Sequence, residues 1–399
     1  MIRKIKRKLK ILLCLSILKR TLFNDSDFLL GRFTQHSIPM LLQFDFDKLK
    51  KITLGFVEKM KFSSSLFEYK YALSCHKSNI YSSVYAAMIL SMYGEIDKLS
   101  NDQKKEWLDY FDAFQNSTDG LFYDKVLSND IYNDSDWWGA RHLAAHIITA
   151  YKVMGGRPKY QFRFLEKYYN VSFLKEWFDS QNWNAKSIYA ADIDNKIMNI
   201  GVLLQYQRDF WGDARAGESI RFIQDYLIGK INPNTGMWGS CNLEDSNELS
   251  RMVQFAYHLF LLFFYDNIDL GYKEKIIDYT LKTQNIYGGF GVQLNSSACE
   301  DIDSIDILIR LVKQTGYKKE EIEIVLKRAF AWVLVNQNAG GGFVFSRNEP
   351  FIYGHKEMSS AKNESALFPT WFRTLTIAYL VNYLFSKDFK IIRCSGYVF

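Results

Sequence analysis

The fold is decided by the stretch Gln284-Asn-Ile-Tyr-Gly-Gly-Phe-Gly291, which is followed closely by Ala298-Cys-Glu-Asp-Ile-Asp-Ser-Ile-Asp306. The first part carries the glycine pair of a tight turn, because glycine adopts a positive φ without strain. The second part is an acidic helix start that runs into the apolar residues 307–312. A glycine-rich turn that leads into an apolar helix is therefore one building unit of this chain.

The same unit recurs along the chain. Related turns occur at Asn232-Pro-Asn-Thr-Gly-Met-Trp-Gly239 and at Asn336-Gln-Asn-Ala-Gly-Gly-Gly-Phe343, so that successive turns lie about 53 residues apart. An earlier turn is Asn116-Ser-Thr-Asp-Gly-Leu-Phe122, and a weaker one is Gln181-Asn-Trp-Asn184. This period is long enough for one pair of helices and a loop.

Helical segments of alternating character lie between the turns. Segments that are apolar on most sides are expected to be inner helices, and charged amphipathic segments are expected to be outer helices. The inner segments are 79–93, 134–154, 192–206, 244–265, 301–315 and 363–385, and the outer ones are 102–114, 160–178, 218–227, 273–282 and 319–335. Six inner helices predict an all-α fold, an (α/α)6 toroid of helical hairpins around a central cavity.

The composition favours one folded domain. A hydrophobic share of 48% is ample for a core, and five prolines are too few to form a linker between halves. We therefore expect a single toroid over residues 26–399, preceded by a separate segment over residues 1–25. The five cysteines are scattered without a CxxC pair, which favours a reducing compartment. The expected location is cytoplasmic, peripheral on the inner face of a membrane.

The first 23 residues are basic and amphipathic. They contain eight lysines and arginines, more than the whole net charge of +6. The apolar run 11–18 is too short to span a bilayer, so the pattern favours a helix lying on an anionic membrane surface. The alternative is a basic extension docked on its own domain. Because the remainder is near neutral and lacks a basic and aromatic motif, we expect no nucleic-acid partner.

The repeats Gln-Asn-x-x-Gly-Gly-Phe-Gly, each entering an inner helix, resemble those of the terpenoid cyclase and protein prenyltransferase toroid superfamily. The resemblance covers roughly residues 79–385 and is closest at Gly288-Gly289 and Gly340-Gly342. It implies the toroid fold strongly and an activity only weakly, because this architecture hosts unrelated chemistries.

The acidic helix start is the first candidate site. In the cyclase branch of that superfamily an Asp-x-Asp-Asp motif opens one inner helix and protonates the substrate. By this resemblance Asp303 is the general acid, and Asp301 and Ser304 hold its proton by hydrogen bonds. The sequence departs from the motif at its last position, which is Ser304; Asp306 is a further acid two residues after Ser304, off that face of the helix. Closely spaced carboxyl groups can keep one of them protonated near neutral pH.

A structural role for these acids is the alternative. Nearly every predicted inner helix begins with acidic residues, and carboxylates at helix N-termini cap free N–H groups and oppose the helix dipole. A cap explains Asp301 well and explains Asp303 and Asp306 less well. The same geometry would place all the acidic starts on one rim of the toroid, at a single cavity mouth.

The prenyltransferase branch holds one zinc ion with Asp, Cys and His ligands. The candidates here are Cys299, Asp301 and His355, but their order and spacing give poor support. We therefore expect no cofactor and no metal.

A second candidate cluster lies on the inner segment 134–154. His142 and His146 are four residues apart and share one helix face, with two tryptophans one turn earlier. Such side chains could bind a sugar by stacking and hydrogen bonding, although buried histidines more often have structural roles. The candidate cavity residues are Asp136, Trp137, Trp138, His142, His146, Glu244, Asp245 and Trp371.

Two functions follow, and whether the chain is an enzyme is left open. The leading hypothesis is acid-initiated cyclisation, or related chemistry, on an isoprenoid or other lipid-like substrate. The alternative is a carbohydrate-active toroid, a hydrolase, lyase or epimerase acting on a polysaccharide, or a toroid that binds a lipid or glycan without catalysis. A cyclase needs an aromatic pocket with Asp303 at its head, whereas a glycan enzyme needs paired carboxylates and an aromatic platform.

Overall fold

The computed structural model describes residues 44–127, 139–183, 193–291, 294–387 and 389–396. Within these ranges the chain forms twelve α-helices and one hairpin of two short strands. The helices are α1 (Phe46–Lys59), α2 (Ile80–Met92), α3 (Asn101–Asp112), α4 (Ala140–Val153), α5 (Val171–Asp179), α6 (Ile193–Trp211), α7 (Ala214–Lys230), α8 (Ser246–Asp266), α9 (Lys273–Lys282), α10 (Ala298–Thr315), α11 (Lys319–Val335) and α12 (Leu367–Leu384).

The even-numbered helices form a closed ring. Each packs against the next even-numbered helix along the chain, and α12 packs back against α2. Almost every residue of α2 and α12 is buried, as a helix covered on all sides requires. The chain is therefore an (α/α)6 toroid with the six predicted inner helices, and the alternation of inner and outer helices places the six inner N-termini at one end.

The outer helices cover the ring, and two of them differ from the prediction. The expected outer helix 160–178 is a 3₁₀ segment, Arg163–Tyr169, followed by the short α5. The sixth outer position is filled by α1, which the sequence patterns did not reveal. Its Lys50 Nζ donates to the carbonyl oxygen of Tyr93 at 2.6 Å, and Phe46 packs edge to face on Phe385 at 5.8 Å. Helix α1 therefore closes the outer layer where the two ends of the ring meet.

The glycine-rich turns are held by a glutamine in the same way in successive repeats. The Nε2 group of Gln284 donates to the carbonyl oxygens of Gly288 and Val325, both at 2.9 Å. The Nε2 group of Gln337 donates to Gly341 O at 2.7 Å and to Thr53 Oγ1 at 3.0 Å. Each glutamine closes its own turn and ties it to an outer helix, so these turns join one hairpin to the next.

Glycine is required where two turns meet the neighbouring backbone. Gly288 and Gly341 have φ values of 100° and 98°. A Cβ on Gly288 would lie 2.6 Å from the carbonyl oxygen of Arg328, and a Cβ on Gly341 would collide with that of Ile52. The glycines that suggested the fold are therefore needed both for the turn and for the close packing between repeats.

The strands β1 (Phe351–Ile352) and β2 (Ser359–Ser360) form an antiparallel hairpin between α11 and α12. The hairpin lies at the end of the ring where the inner helices begin, since the Sγ of Cys75 donates to Ser359 O at 3.3 Å and the side chain of Asn79, the N-cap of α2, donates to Glu357 O at 3.3 Å. It carries Tyr353 into the ring, as described below.

Candidate functional site

All six inner helices contribute side chains to the centre of the ring. One set, here called the ionic group, consists of Asp194 on α6, Arg251 and His258 on α8, and Asp303 on α10. A second set, here called the aromatic group, consists of Tyr81 and Tyr85 on α2, His142 and His146 on α4, Phe368 and Trp371 on α12, and Tyr353 from the hairpin. The two groups adjoin, because the charge of His258 acts on His142.

Asp303 is the buried acid of the ionic group. Its exposed fraction is 1%, and neither carboxyl oxygen has a hydrogen-bond partner among the described residues. Burial raises the pKa of Asp303 well above its usual value, and the negative charges of Glu300 and Asp194 raise it further, while Arg251 lowers it. The site therefore favours the protonated, neutral form of Asp303.

Asp194 is held in the opposite state. Its carboxylate receives Arg251 Nη1 at 3.0 Å and Nη2 at 3.2 Å, and His258 Nδ1 lies 2.9 Å away. Burial alone would raise the pKa of Asp194, but the hydrogen bond from His258 and the charge of Arg251 outweigh it, so the pKa is lowered. Asp194 is therefore ionised and fixes the orientation of His258.

The ionic group meets solvent through the side chains of α8. Arg251 and His258 are 15% and 13% exposed, whereas Asp194 and Asp303 are essentially buried. Nδ1 of His258 faces Asp194, so the other ring nitrogen, Nε2, points away from that carboxylate. Asp303 thus lies below a partly open charged surface.

A chain of hydrogen bonds fixes the tautomers in the aromatic group. The Tyr81 hydroxyl donates to Gly139 O at 2.9 Å, so it accepts from Nδ1–H of His142 at 3.0 Å. The Nε2 of His142 is then an acceptor, 2.9 Å from both His146 Nε2 and the Tyr353 hydroxyl. Burial lowers the pKa of His142 far below its usual value and that of His146 to about 3. Both imidazoles are therefore neutral near pH 7.

Aromatic rings line the same side of the ring interior. Tyr353 stacks on Phe368 with a centroid distance of 4.0 Å and an interplanar angle of 11°, and Tyr85 stacks on Trp371 at 5.3 Å and 16°. Trp371, a predicted cavity residue, thus lies inside the ring beside His146. These rings are buried against one another and adjoin the charged side chains of the ionic group.

Asp301 lies on the other side of α10. Its Oδ2 accepts from Arg373 Nη1 at 2.8 Å and from Trp332 Nε1 at 3.0 Å, and its Oδ1 accepts from Ser296 Oγ and the backbone N–H of Phe290. Positions 301 and 303 are about 200° apart around a helix, which is why one side chain faces the outer helix α11 and the other faces the ring. Asp301 ties α10 to α11, to α12 and to the glycine-rich turn.

The hydrogen bonds expected around Asp303 from the cyclase resemblance are therefore not present. Asp301 is bound to Arg373 instead, and Ser304 does not bond to the Asp303 carboxyl group. Asp306 accepts from Tyr257 at 3.1 Å and from Arg310 at 2.8 Å, and so is engaged one turn further along α10. Of the three aspartates predicted at this helix start, all of them within the described ranges, only Asp303 has a carboxyl group without a hydrogen-bond partner.

The predicted acidic residues at the start of α8 do not reach the ionic group. Asp245 is the N-cap of α8, and its carboxylate accepts from the backbone N–H groups of Asn247 and Glu248. Glu244 is exposed. A structural cap accounts for Asp245.

Several predictions fall on residues outside the described ranges. These are the cavity residues Asp136, Trp137 and Trp138, and the membrane-surface role of residues 1–23. They stay predictions. Within the described ranges, no helix combines the length and the apolar character needed to cross a lipid bilayer.

The three zinc candidates do not form a metal site. Both oxygens of Asp301 are engaged as described above, and the side chain of His355 accepts the backbone N–H of Glu357 at 3.1 Å. Cys299 is a free thiol, and burial raises its pKa well above the usual value, which disfavours the thiolate that binds zinc. Among the described residues, no three His, Cys, Asp or Glu side chains are grouped as metal ligands.

Sequence reasoning missed Asp194, Arg251, His258 and Tyr353 as functional candidates. Arg251 and His258 are seven residues apart on one predicted inner helix, so they share a face, and Asp194 occupies a helix start as Asp303 does. The seven-residue spacing and the helix-start position could therefore have indicated these three residues from the sequence alone. Tyr353 carries no such signal, because it lies on an irregular segment between two helices.

The sequence matches no protein-family model, and no curated protein matches it significantly. Two similar solved structures are a GH76 alpha-mannanase from Bacteroides thetaiotaomicron and a polysaccharide lyase. The mannanase has a TM-score of 0.46 and 11% identity, with 86% of this chain and 97% of the mannanase covered. The lyase has a TM-score of 0.45 and 10% identity, with 86% and 99% covered. At these values the similarity assigns no reaction to this chain.

Proposed function

We propose that the chain is an acid–base enzyme that cleaves a glycosidic bond inside the ring. The observation that carries this proposal is the pair of buried carboxyl groups in opposite states. Among the described residues Asp303 has no hydrogen-bond donor and favours its protonated form, whereas Asp194 is bound to Arg251 and His258 and stays ionised. Environments that separate two carboxyl pKa values assign different tasks to the two groups: Asp303 keeps a proton to donate, and the ionised Asp194 orients the histidine that serves as base.

Asp303 is the general acid of this proposal. Its proton passes to the glycosidic oxygen as the bond between that oxygen and the anomeric carbon breaks, so the leaving sugar departs as a neutral alcohol and Asp303 becomes a carboxylate. The positive charge of Arg251 acts on Asp303 and stabilises that product carboxylate.

His258 is the general base. Its Nε2 accepts a proton from the water molecule that attacks the anomeric carbon, and the imidazolium that forms is stabilised by the ionised Asp194 at Nδ1. After the product leaves, transfer of this proton through solvent to Asp303 restores the starting state. Asp194 acts by positioning His258 and does not itself contact the substrate.

The aromatic group is suited to hold a sugar ring. Its rings are buried and stack on one another, so they form an apolar wall beside the ionic group, and the partly exposed Arg251 and His258 supply polar contacts for sugar hydroxyl groups. An isoprenoid cation formed beside Asp303 would also meet His258, the base of the proposed mechanism, which would remove its protons.

Acid-initiated cyclisation is the second candidate, and it uses the same acid. The buried, protonated Asp303 is the observation that favours it. It requires no general base, so the two candidates differ in their need for His258.

The test compares native protein with Asp303→Asn and His258→Ala on a panel of polysaccharides and on polyprenyl substrates, with reducing ends and lipid products measured by chromatography and mass spectrometry. We expect glycan cleavage that falls by a factor of about 10² or more in each variant. Asp102→Asn, an exposed acid on α3, is the matched control and should retain full activity. Lipid products that need Asp303 but not His258 would favour the cyclase instead, and products that need neither residue would overturn both roles.

A further inference from the structure

A second carboxyl group lies one helical turn from Asp303. Glu300 precedes it by three residues on α10, so the two side chains share a face of the helix, with Glu300 nearer the mouth of the ring. Glu300 is mostly buried, and its charge is the strongest of the neighbouring charges that act on Asp303.

The two carboxyl groups differ in their supply of hydrogen-bond donors. Glu300 Oε2 accepts the backbone N–H of Ser297 at 2.7 Å, and Ser297 Oγ accepts the backbone N–H of Glu300 in return, which is a capping box. Asp303 receives no donor on either oxygen within the described residues. Burial raises the pKa of both carboxyl groups, but the N–H of Ser297 opposes this effect at Glu300, whereas Asp303 has no such donor and its pKa lies well above its usual value.

The geometry points to Glu300 as the partner of Asp303. We propose that Glu300 and Asp303, neighbours on one face of α10, form an electrostatically coupled carboxyl pair that carries a single negative charge, with the proton on Asp303 and the charge on Glu300. This inference rests on the proposed function, because it explains how the acid keeps its proton until the substrate arrives. Glu300 is then a positioning residue that acts through Asp303.

Other charged and titratable groups also face Asp303. Cys299 and Asp306 lie on α10, Arg251 and Tyr257 on α8, and Asp194 on α6, while Arg373 on α12 acts on Glu300 and Cys299. Asp194 and Asp306 are each bound to an arginine, so much of their charge is neutralised locally. Glu300 accepts an N–H but has no ion pair among the described residues, and its charge raises the pKa of Asp303 more than any other neighbouring charge does.

Close packing keeps Glu300 in place. A Cβ on Gly291 would collide with Glu300 Oε1, and Gly291 has a φ of 101°. The turn that precedes α10 therefore covers the Glu300 carboxylate and limits its access to water. This cover strengthens the interaction between the two carboxyl groups, because less solvent screens it.

The test measures the free energy of unfolding of native protein and Asp303→Asn by denaturant between pH 4 and pH 9. The folded protein binds the Asp303 proton more tightly than the unfolded chain does. Its stabilising contribution is full below the unfolded pKa of about 4 and is lost as pH rises through the folded pKa. The stability of native protein relative to Asp303→Asn should therefore fall with rising pH until the folded pKa is passed.

Glu300→Gln is the decisive variant, because glutamine at the third helical position keeps the capping box and removes the charge. The difference in free energy of unfolding between Glu300→Gln and the double variant Glu300→Gln with Asp303→Asn should also fall with rising pH. It should stop falling about one pH unit lower than the difference between native protein and Asp303→Asn does. Ser297→Ala disrupts the capping box but keeps the acid and serves as the control for loss of helix stability. An unchanged pH dependence in Glu300→Gln would overturn the pair.

A second measurement does not depend on unfolding or on a substrate. Carbon-13 NMR of protein labelled at the aspartate carboxyl carbons follows the Asp303 signal, assigned by its loss in Asp303→Asn. The titration midpoint should move down by about one pH unit in Glu300→Gln. If the midpoint moves but no glycan is cleaved, the carboxyl pair is supported and the proposed function is wrong. If glycans are cleaved but the midpoint does not move, the proposed function is supported and the carboxyl pair is wrong.

Discussion

Asp301 and Asp303 are two residues apart on one helix, and both are almost completely buried. Asp301 faces the outer layer and has four hydrogen-bond donors, including Arg373. Asp303 faces the ring and has none within the described residues. The same side chain at the same depth is therefore fully hydrogen-bonded on one face of α10 and has no hydrogen-bond partner among the described residues on the other.

The difference shows which kind of buried acid to suspect of chemistry. A carboxylate that is fully hydrogen-bonded in a folded protein stabilises it, and its removal leaves partners unsatisfied. A buried carboxyl group without donors is a net cost to stability, and such costs concentrate at functional sites. Variants on the two faces of α10 should therefore differ in their effects on the free energy of unfolding.

The largest expected effect is on stability at Asp301. Replacing Asp301 by Asn leaves the guanidinium group of Arg373 buried without a counter-charge, and we expect a loss of about 3–5 kcal/mol in the free energy of unfolding. Asp303→Asn exchanges one neutral group for another of the same shape and should change stability at pH 7 by about 1 kcal/mol or less. Chemical denaturation of the two variants measures the contrast. Equal losses would show that the two faces of α10 do not differ.

A smaller effect is expected from the turn that supports Asp301. A Cβ on Gly289 would collide with Ser296 Oγ and lie 2.5 Å from Trp332 Nε1, both of which donate to Asp301. We expect Gly289→Ala to cost about 1–3 kcal/mol. Gly340→Ala is the control in the following repeat, where no atom lies within 4 Å of the added carbon, and it should be neutral or stabilise by up to about 1 kcal/mol. Thermal unfolding of both variants distinguishes the two sites.

The smallest effect separates the helix cap from the acid. Ser297→Ala removes the hydroxyl that accepts the N–H of Glu300, and we expect a loss of about 1 kcal/mol in the free energy of unfolding. Because Asp303 makes no bond to Ser297, its carboxyl titration should keep its midpoint in this variant. A shift there would mean that the cap itself sets the proton affinity of Asp303.

The sequence was sufficient for the architecture because the decisive signals are local. Turns such as Gln284–Gly291 recur at a fixed spacing, and each demands glycine at a position with positive φ. The same signals placed His142, His146 and Trp371 inside the ring. Helix α1 was not predicted, because no glycine-rich turn precedes it in the sequence.

The site was less predictable because its partners are distant in sequence. Asp194 meets Arg251 and His258 from another repeat, and Asp301 meets Arg373, 72 residues further along the chain. Which face of α10 turns to the ring is set by those partners, and helix periodicity cannot identify them. The resemblance of residues 301–304 to an acid motif therefore indicated Asp303 but not the side chains around it, and its role as an acid stays a prediction.

Closure of the ring has a consequence for how the protein is made. The ring closes through contacts between its first and last inner helices, because α12 packs on α2. Beside them the carboxylate of Glu364 accepts from the backbone N–H and the hydroxyl of Ser74, 290 residues earlier. An open helical repeat can gain or lose units at its ends, whereas this ring has no ends to trim. Contacts of such long sequence separation form late and slowly. Because α2 is synthesised before α12, its apolar surface stays uncovered until the end of synthesis. The nascent chain is therefore more prone to aggregation than the folded protein.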